Sequence, residues 1–365
     1  MLSARPALRT LPSYHPPLAG RDGLRLDFNE NTTGCSPCVL ECLRALSGED
    51  LARYPERAPT EAQVAGFLNV TPAQLLLTNG VDEAIHLLCQ TYLDPGDEAL
   101  IVEPTYSMYR IYVMAAGAHV VGIPAEDNFR FPVEELRRQI TPRTRLIAIA
   151  NPNNPTGTVA SQSDLLRIAH SAQSAAVLVD EAYFEFYGQT LIGECQNSTN
   201  LFVARTFSKV YGLAGLRIGA LVGPLEQMLT LRRVSSPYNV NGVALACLPA
   251  ALADRDYVCR YVDEVLDSRT RLERALQSNG VAYWPSQANF ILFRVGSAQA
   301  AGAFVERMHR RGILVRNRTN DLGCEGCVRV TLGTGEDTDR LLSALQETFD
   351  ELGISRSQPQ GAGRP

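Results

Sequence analysis

The chain has 365 residues, 45% of them apolar and 20% charged, and a net charge of −5. That length can bury one large core or two unequal ones, and the acidic balance sets nucleic acid and anionic membranes aside as partners. The first twenty residues lack a signal-peptide core and no later stretch is long and apolar enough to span a bilayer, so the expected location is the cytoplasm.

In chain order, the N-terminal segment (1–44) holds one extended run, LRLDFNEN, and is too short to fold alone. It is expected to pack onto a smaller domain or to reach a partner subunit. Between Leu75 and Gly223 short apolar runs alternate with helix-length segments: LLLT, ALIVEP, RLIAIANP, AAVLVDEAY, NLFVART and LRIGALVG. Runs of this kind predict strands buried on both faces of a mostly parallel sheet, hence an α/β domain over 45–248. After Pro249 long charged helical segments alternate with the strand patterns ANFILFRV, GILVRN and CVRVTLG, predicting a smaller α+β domain over 249–353. The tail, 354–365, is rich in Ser, Pro, Gly and Gln and reads as disordered.

Nine cysteines and no secretory signal favour free thiols. The pairs Cys35/Cys38 and Cys324/Cys327 read two ways, as four zinc thiolates or as unrelated small side chains. Nearly the whole chain separates them, which favours the second reading, and no metal is expected.

Parallel sheets bind ligands at the carboxyl ends of their strands. Here five runs each end in polar residues: Asn79-Gly80-Val81-Asp82, Thr105-Tyr106, Asn151 to Gly157 (NPNNPTG), Asp180 to Tyr183 (DEAY) and Thr206 to Lys209 (TFSK). Singly each has an ordinary reading: an empty glycine turn, a tight loop, a capping carboxylate, a lysine snorkelling to solvent. Together they are what a cofactor site requires.

In this order, with Arg217 eight residues after Lys209, the motifs resemble those of fold-type I pyridoxal-phosphate enzymes of the aminotransferase class I/II superfamily, from about Leu24 to Leu352. The resemblance implies an aspartate aminotransferase-like fold and pyridoxal 5'-phosphate as cofactor. It also implies that Lys209 bonds the cofactor aldehyde and, once freed, moves the substrate proton. Asp180 would pair with the pyridine nitrogen, Tyr183 and Asn154 would bond the phenolic oxygen, and Tyr106 would lie against the ring. Gly80, Val81, Asp82, Thr206, Ser208 and Arg217 would form the phosphate end, and Asn154-Pro155 is expected to be cis.

Within that superfamily the chain is most similar to histidinol-phosphate aminotransferases. LDFNENTTGCSP resembles their NEN segment, although Thr32-Thr33 replaces the usual Pro-aromatic pair. ARYPE matches an element whose tyrosine, Tyr54, would reach the cofactor phosphate of a partner subunit, implying a homodimer. ILVRNR and CVRVTLGT match strands bearing two substrate-binding arginines, Arg316 and Arg329, though period-two alternation leaves Arg318 as an alternative to Arg316. Tyr14 matches a tyrosine closing over substrate. The implied reaction converts L-histidinol phosphate and 2-oxoglutarate to imidazole-acetol phosphate and L-glutamate, in histidine biosynthesis. An aromatic or broad-specificity aminotransferase, or a decarboxylase of the threonine-phosphate type, is the alternative. A ligand-sensing regulator is disfavoured, because no helix-turn-helix precedes the large domain.

Overall fold

In the computed structural model, residues 2–9, 11 and 20–354 are described. The strands in chain order are β1 (Leu24–Arg25), β2 (Leu75–Thr78), β3 (Glu98–Glu103), β4 (His119–Pro124), β5 (Thr144–Ala150), β6 (Ala176–Asp180) and β7 (Leu201–Thr206). They continue with β8 (Gly219–Val222), β9 (Ala282–Trp284), β10 (Phe290–Arg294), β11 (Ile313–Leu314), β12 (Arg316–Asn317) and β13 (Cys327–Thr331).

Seven of them form the central sheet, in the order β2-β8-β7-β6-β5-β3-β4. β8 runs antiparallel to β2 and β7, and the remaining pairings are parallel. The carboxyl ends of β2, β3, β5, β6 and β7 therefore share one edge. Continuous apolar runs are explained by burial on both faces. Leu75, Leu77, Ile147, Val177 and Val203 pack into one core, while Leu76, Ala148, Leu178, Phe202 and Leu221 pack into another across the sheet. Each such Leu or Phe removed from water contributes up to about 1.5–3 kcal/mol. The edge strand β4 is largely exposed or half-buried and has no counterpart among the apolar runs, because an edge needs no apolar face on both sides.

Antiparallel strands β12-β13-β10-β9 form a second sheet, with the helices Arg255–Ser278, Ala298–Arg310 and Gly335–Leu352 beside it. β1 pairs in parallel with β11, Leu24 opposite Ile313, tying the N-terminal segment to this part of the chain. One expectation is corrected: GILVRN is not a single strand. It divides at buried Val315 into β11, paired with β1, and β12, paired with β13. Arg316 and Arg318 both lie beyond the break, on the stretch that pairs with β13: Arg316 is opposite Arg329, and the Arg318 N–H donates to the Cys327 carbonyl at 2.9 Å. Ile354 packs on the core after the left-handed Gly353 cap, and the remainder of the tail lies outside the described residues. Among the described residues no helix is long and apolar enough to cross a membrane.

Candidate active site

The polar residues predicted at the strand ends converge through a chain of contacts. After β2 the chain turns at Gly80 (φ 73°) into the helix Gly80–Tyr92. No side chain caps that helix, so its first N–H groups are free to meet an anion. Arg217, after β7 and its connection, takes the left-handed conformation (φ 52°), an uncommon choice for a side chain with a Cβ. Its Nη2 pairs with Asp82 Oδ2 at 3.1 Å, and Asp82 Oδ1 accepts from Tyr106 at 2.8 Å. A Cβ at Gly80 would lie 2.6 Å from Arg217 Nη2, so glycine makes room for this guanidinium. Thr206 and Ser208 are buried alongside, the Thr206 hydroxyl accepting from the Ser208 amide at 3.1 Å.

Asp180, at the end of β6, is buried. Oδ2 accepts from the Tyr109 hydroxyl at 2.6 Å and Oδ1 from the Ala182 amide at 3.0 Å. Burial pushes its carboxyl up to about 6 even against these two donors. Tyr109 lies three residues beyond Tyr106, and the two rings meet edge to face at 5.8 Å.

Lys209 Nζ donates to the Phe28 carbonyl at 3.0 Å and lies 5.9 Å from the Tyr183 ring. Burial, then the Arg329 charge, pushes its ammonium down to about 8. A lysine so placed holds its proton weakly near neutral pH, as a nucleophile or base must. The Tyr183 hydroxyl accepts from Asn29 Nδ2 at 2.8 Å, and its ring packs edge-on against Phe290.

Arg329, on β13, donates from Nη1 to Asn154 Oδ1 at 2.5 Å and from Nη2 to the Asp27 carbonyl at 2.6 Å. Its Nε is buried with no partner. Burial and the neighbouring Arg318 and Arg316 lower its pKa to about 9. Arg318 is ion-paired with Asp321 at 2.5 Å, whereas Arg316 has no carboxylate partner among the described residues and lies over Phe28, 5.3 Å from the ring centroid. Asn154-Pro155 is cis, as are Asn151-Pro152 and Glu103-Pro104.

The structure thus brings together Lys209, Asp180, Tyr183, Asn154, Arg329 and Arg316, with Gly80, Val81, Asp82, Tyr106, Thr206, Ser208 and Arg217 at the adjoining end. No contact joins Tyr54 to them among the described residues: Tyr54 is 78% exposed and its ring stacks on that of Tyr238, with centroids 4.3 Å apart. Tyr14 lies outside the described residues. Sequence reasoning did not single out Tyr109, Phe28 or Asn29. Tyr109 stands in the same TYSMY run as Tyr106, and Asn29 in the NEN segment, but a carbonyl acceptor such as Phe28 leaves no mark in a sequence. The cysteine pairs do not form one cluster: Cys324 and Cys327 are buried beside Trp284, Cys35 is half-buried and Cys38 is exposed. Among the described residues no three metal-ligating side chains come together.

Residues 21–345 match the family described as aminotransferase class I and II. The chain belongs to that family. It is an aminotransferase. It is 38% identical to the histidinol-phosphate aminotransferase of Paracoccus denitrificans, covering 91% of each chain, and 39% identical to that of Jannaschia sp., covering 89% of this chain and 91% of the other. The histidinol-phosphate aminotransferase of Sinorhizobium meliloti, solved in complex with pyridoxal-5'-phosphate, superposes with a TM-score of 0.87 at 26% identity, covering 95% of this chain and 97% of that one. The donor set found here fits such a group: an uncapped helix N-terminus and a guanidinium for a phosphate, a buried carboxylate for a ring nitrogen, a phenol and an amide for a phenolic oxygen, and a lysine with a depressed pKa for an aldehyde.

Proposed function

We propose that this aminotransferase uses pyridoxal 5'-phosphate to convert L-histidinol phosphate and 2-oxoglutarate to imidazole-acetol phosphate and L-glutamate, in histidine biosynthesis. The observation that carries the reading is the group of cations beside Lys209. Arg329 and Arg316 stand together on paired strands, opposite one another in register, and Arg316 has no carboxylate partner among the described residues. A phosphate ester in place of an α-carboxylate brings extra negative charge, and a second guanidinium suits it. The near full-length likeness to proteins named for this activity supports the same substrate.

When bound, the cofactor supplies an electron sink for the pair left behind as the substrate carbon loses its proton. Asp180 holds a proton at the ring nitrogen. Its carboxylate is buried with Tyr109 and Ala182 donating to it, so it cannot swing away. Lys209 takes the substrate proton and returns it on the cofactor side, a shuttle that its lowered pKa favours. Gly80, Val81, Thr206, Ser208 and Arg217 would hold the phosphate, with Asp82 fixing Arg217 and bonding Tyr106, which would support the ring. Tyr183 and Asn154 bond the phenolic oxygen. Arg329, Arg316 and Asn154 hold the substrate anion, with Arg316 preferred to Arg318 because Arg318 is committed to Asp321. Residues 45–248 form the cofactor domain, and 249–353 with the N-terminal segment form the smaller one. A homodimer supplies Tyr54 across the interface.

The test is the visible absorbance of the cofactor-loaded enzyme, with Lys209→Ala as control. L-glutamate and L-histidinol phosphate should each convert the bound cofactor to its amine form, histidinol phosphate at far lower concentration than phenylalanine. Conversion by glutamate and phenylalanine but not by histidinol phosphate would move the substrate to the aromatic class, and no response to glutamate would end the proposal.

A further inference from the structure

Asn29 lies in the N-terminal segment, far in sequence from every residue of the sheet edge, yet it is 1% exposed and all its polar groups are used inside the protein. Its backbone N–H donates to Thr331 Oγ1 at 3.0 Å, and its carbonyl accepts from Asn289 Nδ2 at 3.2 Å. Its Oδ1 accepts from Thr331 Oγ1 at 3.1 Å, and its Nδ2 donates to the Tyr183 oxygen at 2.8 Å. These contacts hold the amide with Oδ1 toward Thr331 and Nδ2 toward Tyr183. The Thr331 hydroxyl accepts the Asn29 N–H and gives its own proton to Oδ1, which leaves Nδ2 facing Tyr183. The backbone at Asn29 is left-handed (φ 57°), a conformation Asn tolerates better than most residues, and it turns the side chain inward.

With Nδ2 donating to one lone pair of the phenol, the Tyr183 proton must point elsewhere. The same donor draws charge from the phenolic oxygen and makes its O–H a stronger donor in turn. We infer that Asn29 is a positioning residue of the reaction: it aims the Tyr183 hydroxyl at the cofactor's phenolic oxygen and strengthens the bond made there. The inference rests on the proposed contact between Tyr183 and the cofactor. It also links that contact to the substrate-binding side, since Thr331, which holds Asn29, stands two residues after Arg329 on β13.

The test compares Asn29→Ala, Asn29→Asp, Tyr183→Phe and Asn29→Ala/Tyr183→Phe by two readouts that do not depend on turnover. One is the dissociation constant of added pyridoxal phosphate from the apoprotein. The other is the pH midpoint of the visible absorbance of the cofactor held by Lys209. A donor to the phenolic oxygen favours the deprotonated form, so Tyr183→Phe should raise that midpoint. Asn29→Ala should raise it by less and weaken cofactor binding about threefold to tenfold, the loss expected of one hydrogen bond. Asn29→Asp keeps a short polar side chain in the left-handed backbone and keeps the Thr331 bond, but it places an acceptor against the phenol. It should draw the hydroxyl away and raise the midpoint as far as Tyr183→Phe. In the double variant the Asn29→Ala effect should vanish. A displaced midpoint in Tyr183→Phe with none in Asn29→Asp overturns the positioning role, as does a double variant equal to the sum of its parts. An unmoved midpoint in Tyr183→Phe removes the cofactor contact itself, and the inference with it. Asn29→Asp carries the test should Asn29→Ala fail to fold.

Discussion

Two ionisable side chains of the site, Asp180 buried and Lys209 half-buried, hold opposite positions in the free energy of the cofactor-free protein. The Asp180 carboxyl, 3.8 in the unfolded chain, rises to about 6 in the fold. Between those values the folded state binds more protons, so this residue makes stability fall as pH rises, and its cost persists above pH 6. The Lys209 ammonium, 10.5 unfolded, falls to about 8. There the unfolded state binds more protons, so stability rises as pH climbs from about 8 toward 10.5. Urea midpoints of apoprotein across this range should therefore lose the acid-side fall in Asp180→Asn and the alkaline rise in Lys209→Met. The same Lys209→Met change should reduce kcat of the loaded enzyme by about 10²–10⁴-fold. Profiles parallel to wild type would mean that neither group is perturbed by burial. Chemistry and stability then conflict at one site, because the desolvated charges that weaken the fold are those the reaction needs.

At the scale of an element, the turn from β2 into the helix Gly80–Tyr92 depends on a backbone without a side chain. Gly80 has φ 73° and faces Arg217, whose own left-handed backbone brings its guanidinium over the turn. Gly80→Ala should cost about 1–2 kcal/mol from the left-handed residue alone. It should weaken cofactor binding further, because the new methyl must displace the guanidinium from a position 2.6 Å away. Denaturant titration of apoprotein and equilibrium binding of cofactor separate the two effects. Wild-type affinity in Gly80→Ala would show that the guanidinium relaxes without loss. This turn was legible in the sequence because an Asn-Gly pair between an apolar run and an amphipathic segment has few other readings. Lys209, Asp180 and Tyr183 were legible for a related reason: each ends a buried strand or follows one by three residues, so the run that predicts the strand also places the residue near its end. What was not legible is contact between distant segments. The break at Val315 depends on which sheet each half of GILVRN joins, and the pairing of Asn29 with Tyr183 spans more than a hundred and fifty residues. Local pattern carries no information about either.

For the whole molecule, the telling residue is Tyr54. A tyrosine 78% exposed, its ring stacked on that of a second, Tyr238, that is itself 56% exposed, leaves apolar surface in water. Such exposure is the arrangement expected if a second copy covers both rings and receives Tyr54 at its cofactor phosphate. Complementation decides between the two chains. Lys209→Ala and Tyr54→Ala, each impaired alone, are co-expressed with different tags and the mixed species purified through both. If Tyr54 serves the partner, the site built on the Tyr54→Ala chain keeps its own Lys209 and receives an intact Tyr54 from the Lys209→Ala chain, so one of the two sites is complete. The other site carries both lesions and contributes nothing. Activity of the mixed species should then rise well above that of either parent, towards half of wild type, as one complete site in two requires. If Tyr54 serves its own chain, every site carries one lesion, and mixing leaves activity no higher than in the parents.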